Sequence, residues 1–313
     1  MSRIFVQGGA NIDITASVDQ KIVYQDSNIG KISLSYGGVA RNIAENLSWL
    51  GEHPVFITCF SDDYFGKLLQ ENCLSLGFDL TYSRVIEGAS SSVYLALLDE
   101  NRELAAGVSD MTIMKQVTRE DIDRFSKAIE EDDYLFVDTN LSSDLLEYTV
   151  KKCKGKKIAD AISVNKVNHL FSSIPYLDIL KLNRLEAEAV CGMKLEDDIH
   201  IISFLKVLSE KGCKEVLVTV KDGVYIGEKG RVYRYVHDAA DKGVVNVTGA
   251  GDAFLAAYVY ARSRKAGIES AAIMGLASAL ITVRSARAVA KVTKNDIKKE
   301  LMNIRISGGA IYP

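Results

Sequence analysis

The sequence has few of the residues that build disulfide frameworks or metal centres. Its five cysteines are scattered without a C-x-x-C pair, and its four histidines show no ligand spacing. An odd, dispersed set of thiols is typical of a reducing compartment. We therefore expect free thiols, packing or surface roles for the histidines, and a cytoplasmic location.

Proline, long apolar runs and surplus charge are also scarce. Three prolines occur among 313 residues, and none of them builds a linker. No run of 18 or more apolar residues is present, which argues against a membrane-spanning helix. The net charge of −3 does not favour nucleic acid or an anionic membrane as partner. The amino-terminal MSRIFVQGGANIDI is broken by glycine and polar residues, which indicates a first strand and not a signal peptide.

Strand-like and helix-like segments alternate along most of the chain. The apolar patterns predict strands at 4–6, 55–60, 134–137, 157–160, 179–182 and 216–220. They predict helices at 39–50, 64–76, 145–153, 184–190, 201–211, 249–261, 268–283 and 295–304. This alternation predicts an α/β fold in which helices cover both faces of a parallel sheet, with one domain across residues 1–313.

Two regions break this rhythm, because strand-like segments follow each other without helices. They are at 12–18, 22–24, 31–35, 91–98 and 103–107. We expect two insertions, at about 12–36 and 89–108, to build a small, mostly antiparallel sheet. This sheet would lie over the mouth of the main sheet as a lid.

The most informative motif is a glycine loop, Asn246-Val247-Thr248-Gly249-Ala250-Gly251-Asp252, between a strand-like 243–247 and an apolar helix. Backbone N–H groups that converge at a helix N-terminus bind anions. Asp252 beside them could accept the proton of an attacking hydroxyl. The alternative is a glycine turn with an ordinary first-turn carboxylate. No P-loop and no dinucleotide-binding G-x-G-x-x-G is present.

Four motifs, in matching order and spacing, resemble the ribokinase-like (PfkB) carbohydrate kinases. They are Gly9-Ala10-Asn11-Ile12-Asp13, Gly37-Gly38-Val39-Ala40-Arg41-Asn42, Asn183-Arg184-Leu185-Glu186 and the GAGD of the glycine loop. The resemblance implies a three-layer α/β/α sandwich with a mostly parallel central sheet and a small β-sheet lid. It also implies ATP and Mg²⁺ as cofactors and a sugar or nucleoside as acceptor.

The resemblance assigns roles to individual residues. Asp252 is the catalytic base, and the amides of Gly249, Ala250 and Gly251 form the anion hole. The sugar-binding residues are Asn11, Asp13, Gly37, Gly38 and Asn42. In isolation these also fit a strand-end carboxylate, turn residues and a helical asparagine.

The donor side of the site is assigned in the same way. Glu186 would hold Mg²⁺ through water, although N-x-x-E also fits a helix capping box. The resemblance places Asn183, Thr219, Gly223, Gly249 and Gly251 at ATP. Asp160 and Lys166 either contact phosphate or Mg²⁺ or lie on the surface.

Within the family, the chain resembles most closely the branch that phosphorylates pseudouridine, a nucleoside with a carbon–carbon glycosidic bond. Shared segments include Asp26-Ser27-Asn28, Ser91-Ser92 before Tyr94, and Asn246-Val247, where most members have Asp-Thr. That pair contributes to a monovalent-cation site in related kinases, so the potassium requirement stays open. The lid residues Asp26, Ser27, Asn28, Ser92 and Tyr94 are candidates to contact a base.

Alternatives of two classes remain at this point. The acceptor could be ribose, another nucleoside or a sugar phosphate, or the chain could be a catalytically weak nucleoside- or sugar-binding regulator. By analogy, a homodimer through the lid is also expected.

Overall fold

A nine-stranded sheet with helices on both faces forms the centre of the molecule. The computed structural model describes residues 2–239 and 243–312. Its strands are β1 Ile4–Gln7, β2 Asn11–Val18, β3 Gly30–Gly37, β4 Val55–Ile57, β5 Cys59–Ser61, β6 Arg84–Ile86, β7 Val93–Leu98, β8 Leu104–Asp110, β9 Tyr134–Asp138, β10 Lys156–Asp160, β11 Ile179–Asn183, β12 Glu215–Val220, β13 Gly223–Glu228, β14 Arg231–His237 and β15 Ile306–Tyr312. Its helices are α1 Val39–Trp49, α2 Tyr64–Ser75, α3 Arg119–Ser126, α4 Ser143–Lys152, α5 Arg184–Cys191, α6 Asp198–Glu210, α7 Ala250–Ser263, α8 Ile268–Val283 and α9 Lys294–Asn303.

The strand order of the main sheet is β15-β14-β13-β12-β11-β10-β9-β1-β4. The pairs from β4 to β12 are parallel, and those from β12 to β15 are antiparallel. Adjacent residues of β1 enter opposite cores, since Phe5 packs on one face and Val6 on the other. Burial on both faces explains the nearly continuous apolar runs of the central strands. The predicted α/β sandwich is confirmed.

The small sheet consists of β2, β3, β7 and β8, in the order β3-β2-β7-β8. β2 and β7 pair in parallel, and the other two pairs are antiparallel. The prediction of a small, mostly antiparallel sheet from two separate segments is therefore confirmed. Every residue of β8 is exposed, as are Ile32 and Leu34 of β3.

Several predicted elements were wrong in detail. The strand predicted at 55–60 is two strands, because the chain leaves the main sheet at Thr58 and β5 pairs with β6. Residues 22–24 form part of a turn-containing connection. Residues 243–247 form a loop in which Val245 and Asn246 donate backbone hydrogen bonds to Val283 O. The strands β6, β13, β14 and β15 and the helix α3 were not predicted.

The thiols and helices agree with two expectations from composition. The five cysteines are free, and four of them are buried. Burial raises the pKa of the Cys59 thiol to about 11. Within residues 2–239 and 243–312, no helix is both long and apolar enough to cross a membrane.

Candidate active site

A polar cavity of about 520 Å³ opens at the carboxyl ends of the parallel strands. This is the edge where α/β sheets bind their ligands. The cavity collects residues from many elements and loops that are far apart in sequence. Among the predicted site residues, its walls include Asn11, Asp13, Gly38, Asn42, Asn183, Glu186, Thr219, Gly249, Gly251 and Asp252.

Asp252 lies in the first turn of α7 and is 7% exposed. Asn42 Nδ2 donates a hydrogen bond to Asp252 Oδ2 at 2.8 Å, which joins the two distant glycine motifs. Burial raises the pKa of Asp252 to about 7, and the charge of Asp160 adds to this effect. The Asn42 hydrogen bond and Lys181 oppose the increase. A carboxyl group with a pKa near 7 can act as a general base at neutral pH.

The glycine loop has the backbone geometry of an anion-binding turn. Gly249 has φ +81°, and a Cβ there would lie 1.9 Å from Ala288 O, so only glycine fits. Thr248 N donates to Asn246 Oδ1 at 2.9 Å, which closes the turn before α7. No N-cap side chain covers the start of this 14-residue helix, and Gly249 and Gly251 line the cavity, whereas Ala250 N donates to Val247 O at 3.4 Å.

Lys181 is a site residue that the sequence reasoning missed. It is buried in β11 and forms an ion pair with Asp160, with Nζ 3.0 Å from Oδ2. A Cβ on Gly251 would lie 2.8 Å from Lys181 Nζ, so the ammonium group is adjacent to the glycine loop. Burial lowers the pKa of Lys181, but the attraction of Asp160, Glu186 and Asp252 outweighs it and raises the pKa overall. A lysine inside the apolar strand ILKLN was the available signal.

Asp160 is 1% exposed, so the surface alternative for this residue was wrong. Its carboxylate lies beneath the cavity and neutralises Lys181. Lys166 is also away from open surface, since its side chain is half-buried on the cavity wall.

Glu186 fulfils the capping-box geometry and also lines the cavity. Asn183 N donates to Glu186 Oε2 at 2.8 Å, and Glu186 N donates to Asn183 Oδ1 at 2.9 Å. Burial and then the charge of Asp160 raise the pKa of Glu186. No cluster of three potential metal ligands occurs in the part of the chain that the structure describes. Kinase sites usually hold Mg²⁺ through one or two carboxylates together with the phosphates, so Glu186 fits such a role.

Asp13 and its neighbours form the wall at the end of β1 and the start of β2. Asn11 Nδ2 donates to Asp13 Oδ1, which fixes the carboxylate. Burial raises the pKa of Asp13, while this hydrogen bond and Arg41 oppose the shift. A Cβ on Gly37 would lie 2.3 Å from Asp13 Oδ2, and one on Gly38 would lie 2.4 Å from Gly9 O. Glycine is therefore required at Gly38, where φ is +98° and the contact is with backbone, whereas a Cβ at Gly37 would displace the Asp13 side chain. Gly37 does not itself line the described cavity.

One of the five lid candidates reaches the cavity. Tyr94 lines it, together with Ser109 and Met111 from the small sheet and its exit. Residues 26–28 lie in an exposed connection, where Asn28 Oδ1 accepts a hydrogen bond from Val23 N at 2.8 Å. Ser92 is buried before β7 and does not line the described cavity.

An apolar pocket of about 790 Å³ lies on the other side of the glycine loop. Thr219, Gly223 and Ala250 line it, and most of the remaining lining is aliphatic or aromatic. Val244 and Val247 of the predicted strand 243–247 belong to this lining. The pocket and the polar cavity share Asn183, Thr219, Val247 and Gly251. Two spaces that meet at an anion-binding loop suit a phosphoryl donor and an acceptor.

The fold and this pair of spaces define the class of small-molecule phosphotransferases with a ribokinase-like sandwich. The sequence model of the pfkB family carbohydrate kinases matches residues 1–295. The chain belongs to this family.

Two curated relatives and two solved structures show which known proteins the chain resembles. The chain is 30% identical to pseudouridine kinase of Escherichia coli strain K12 over 260 residues, which are 81% of each chain. It is 24% identical to guanosine-inosine kinase of Exiguobacterium acetylicum over 321 aligned positions, 97% of this chain and 99% of that one. A putative sugar kinase from Clostridium perfringens has a TM-score of 0.86, 26% identity and 100% and 99% coverage of the two chains. Arabidopsis thaliana ribokinase, complexed with ribose and ATP, has a TM-score of 0.83, 20% identity and 96% and 99% coverage.

Proposed function

We propose that the chain transfers the γ-phosphoryl group of ATP to the 5′-hydroxyl of pseudouridine. The observation that carries this proposal is Asp252. It is a buried carboxylate with a pKa raised to about 7, at the loop where the polar cavity and the apolar pocket meet. The polar cavity takes the nucleoside, and the apolar pocket takes the adenine of ATP.

The reaction follows from the groups around the glycine loop. Asp252 accepts the proton of the 5′-hydroxyl as its oxygen attacks the γ-phosphorus in line, and ADP leaves on the opposite side. The amides of Gly249, Ala250 and Gly251 and the ammonium group of Lys181 stabilise the charge on the phosphoryl oxygens. Glu186 would hold Mg²⁺, which supplies further neutralisation of phosphate charge when bound.

Pseudouridine is proposed as the acceptor because of a sequence motif and the similarity to a curated relative. The similarity to the pseudouridine kinase of E. coli and the Asn246-Val247 pair support it. Ribose, a sugar phosphate or another nucleoside is the alternative, and the guanosine-inosine kinase relative supports the nucleoside class in general. A binding regulator is disfavoured, because Asp252, Lys181, Glu186 and the glycine loop are all in place.

The small sheet supports two further parts of the proposal. Tyr94, Ser109 and Met111 bring it to the mouth of the polar cavity, so its closure would exclude water from the phosphoryl group. Its outer residues Ile32 (72% exposed) and Val108 (64% exposed) form an apolar face that suits a second copy of the chain. We therefore propose a homodimer through this sheet.

A panel of acceptors tests the proposed activity. ADP release would be measured with ATP, Mg²⁺ and pseudouridine, uridine, inosine, ribose or ribose 5-phosphate, in buffers with and without potassium. The expected result is the highest kcat/KM for pseudouridine. Asp252→Asn should lower kcat by about 10²- to 10⁴-fold without loss of acceptor binding, and Asp132→Asn in an exposed loop is the control. A preference for free ribose, or full turnover by Asp252→Asn, would contradict the proposal.

A further inference from the structure

Lys166 is a cationic residue of the polar cavity to which the proposed phosphoryl transfer gives no role. It follows β10 in the 3₁₀ helix Val164–Leu170, and its side chain is half-buried. Lys166 Nζ donates a hydrogen bond to Asn140 Oδ1 at 2.5 Å. An ammonium group has three N–H donors. Within residues 2–239 and 243–312, Asn140 is the one hydrogen-bond partner of this ammonium group, so donors remain for a ligand.

The orientation of Asn140 is fixed from below by a fully buried carboxylate. Asp138 Oδ1 accepts the backbone N–H of Asn140 at 2.9 Å, and Asp138 Oδ2 accepts Asn140 Nδ2 at 3.0 Å. Because Asn140 Nδ2 faces the carboxylate, Asn140 Oδ1 must face Lys166. Gly9 N also donates to Asp138 Oδ2 at 2.9 Å. The hydrogen-bond network from Asp138 through Asn140 to Lys166 is thus preorganised. Burial lowers the pKa of Lys166, and the charge of Asp138 opposes this shift.

The cavity wall formed by Lys166 and Asn140 is distinct from the end of the cavity that contains Asp252 and the glycine loop. Asp252 contacts Asn42 on the side of α1 and α7. Asn140 instead adjoins the exit of the small sheet, since a Cβ on Gly9 would meet Asn140 Nδ2 at 2.6 Å and Met111 Cε at 3.1 Å. A ribose with its 5′-hydroxyl at Asp252 and its diol at Asp13 has one remaining substituent, at C1′. The wall of Lys166 lines the same cavity and is available to that substituent.

We propose that Lys166 determines acceptor specificity by donating a hydrogen bond to a carbonyl oxygen of the base attached to ribose C1′. The inference rests on the proposed function, because it takes Asp252 and Asp13 as the anchors of the ribose. It narrows the acceptor class to ribonucleosides whose base carries an exocyclic oxygen. A free pentose would gain nothing from this contact.

The test compares acceptors with and without a base in two matched variants. Lys166→Met keeps most of the side-chain length and removes the donor, while Lys67→Met changes an exposed lysine of α2. kcat/KM would be measured for pseudouridine and for ribose at saturating ATP and Mg²⁺. We expect Lys166→Met to lower the ratio of the two values by roughly 10- to 100-fold, the effect of losing a hydrogen bond to a charged group. Lys67→Met should leave the ratio within twofold of wild type.

A binding measurement separates specificity from catalysis. Pseudouridine should raise the Tm of wild type and of Lys67→Met, and this shift should be smaller in Lys166→Met, whereas ribose should shift the Tm of all three proteins equally. An equal fall in kcat/KM for both acceptors would overturn the inference and place Lys166 at the phosphoryl group. An unchanged ratio would also overturn it. A wild-type enzyme that phosphorylates ribose and no nucleoside would instead refute the proposed function, and that result is read before any variant is made.

Discussion

Replacing Asp252 by asparagine should make the protein more stable, by an amount that grows with pH. Burial raises the pKa of Asp252 from its ordinary value of 3.8 to about 7. Above pH 3.8 the unfolded chain therefore loses this proton more readily than the folded chain does. The carboxyl group destabilises the fold as pH rises through this interval, and the effect levels off above pH 7.

The size of the effect follows from the two pKa values. At about 1.4 kcal/mol for each pH unit, the difference between 3.8 and about 7 corresponds to about 4 kcal/mol at pH 8.5. At pH 5 the same linkage gives about 1.7 kcal/mol. Asparagine does not titrate, so the stability gain of Asp252→Asn should increase by about 2.7 kcal/mol between these conditions.

Urea unfolding at a series of pH values measures this increase. A constant difference in packing between Asp and Asn cancels in the comparison of pH 5 with pH 8.5, so the slope isolates the titration. The exposed Asp132→Asn is the control and should follow the wild type at every pH. A gain for Asp252→Asn that is constant across this range within about 0.5 kcal/mol would refute a raised pKa at the base.

Three other predictions concern the same loop and its surroundings. The kcat/KM of the wild type should fall about tenfold per pH unit below pH 7, because the base must be unprotonated; a profile flat down to pH 5.5 would contradict this. Gly249→Ala should destabilise the fold by more than about 2 kcal/mol and abolish turnover, because its Cβ would meet Ala288 O. Gly309→Ala, in β15 with open space around its Cβ, should be neutral. Lys181→Met should lower the free energy of unfolding in urea by about 3–5 kcal/mol, because it leaves Asp160 buried and unpaired. A loss below about 1 kcal/mol, the value for exposed ion pairs, would contradict a buried ion pair between Lys181 and Asp160.

Most of the central fold could be predicted, because its signals are local. The strands β1, β9, β10 and β11 are short apolar runs between helices, and a strand buried on both faces has that pattern. The loop 243–247 has the same valine-rich composition for another reason. Its valines are exposed, and Val244 and Val247 line the apolar pocket, so composition does not distinguish this loop from a buried strand.

The candidate site was predictable where backbone geometry demands a particular residue. Gly38 and Gly249 have positive φ and lie against backbone carbonyls. Only glycine fits there, so the two glycine motifs indicate the position of the site from sequence alone. Lys181 and Asn140 carry no such requirement. Their positions depend on β9, β10 and β11 being neighbours in the sheet, which is a property of topology and not of any one segment. The predicted roles of the site residues stay predictions until the variants are made.

The construction of the small sheet has a consequence for how acceptor choice can change. Its two arms come from distant segments and are joined by the pairing of β2 with β7. β8 contributes no buried residue to the core of a single subunit. Such a unit can open, or accumulate substitutions, at little cost to the folding of the main sheet. In the proposed function, Asp252 and the glycine loop lie at the edge of the main sheet, whereas Asp13, Tyr94 and Ser109 of the acceptor wall belong to the small sheet. New acceptors can therefore be adopted through the small sheet while the glycine loop and Asp252 remain unchanged.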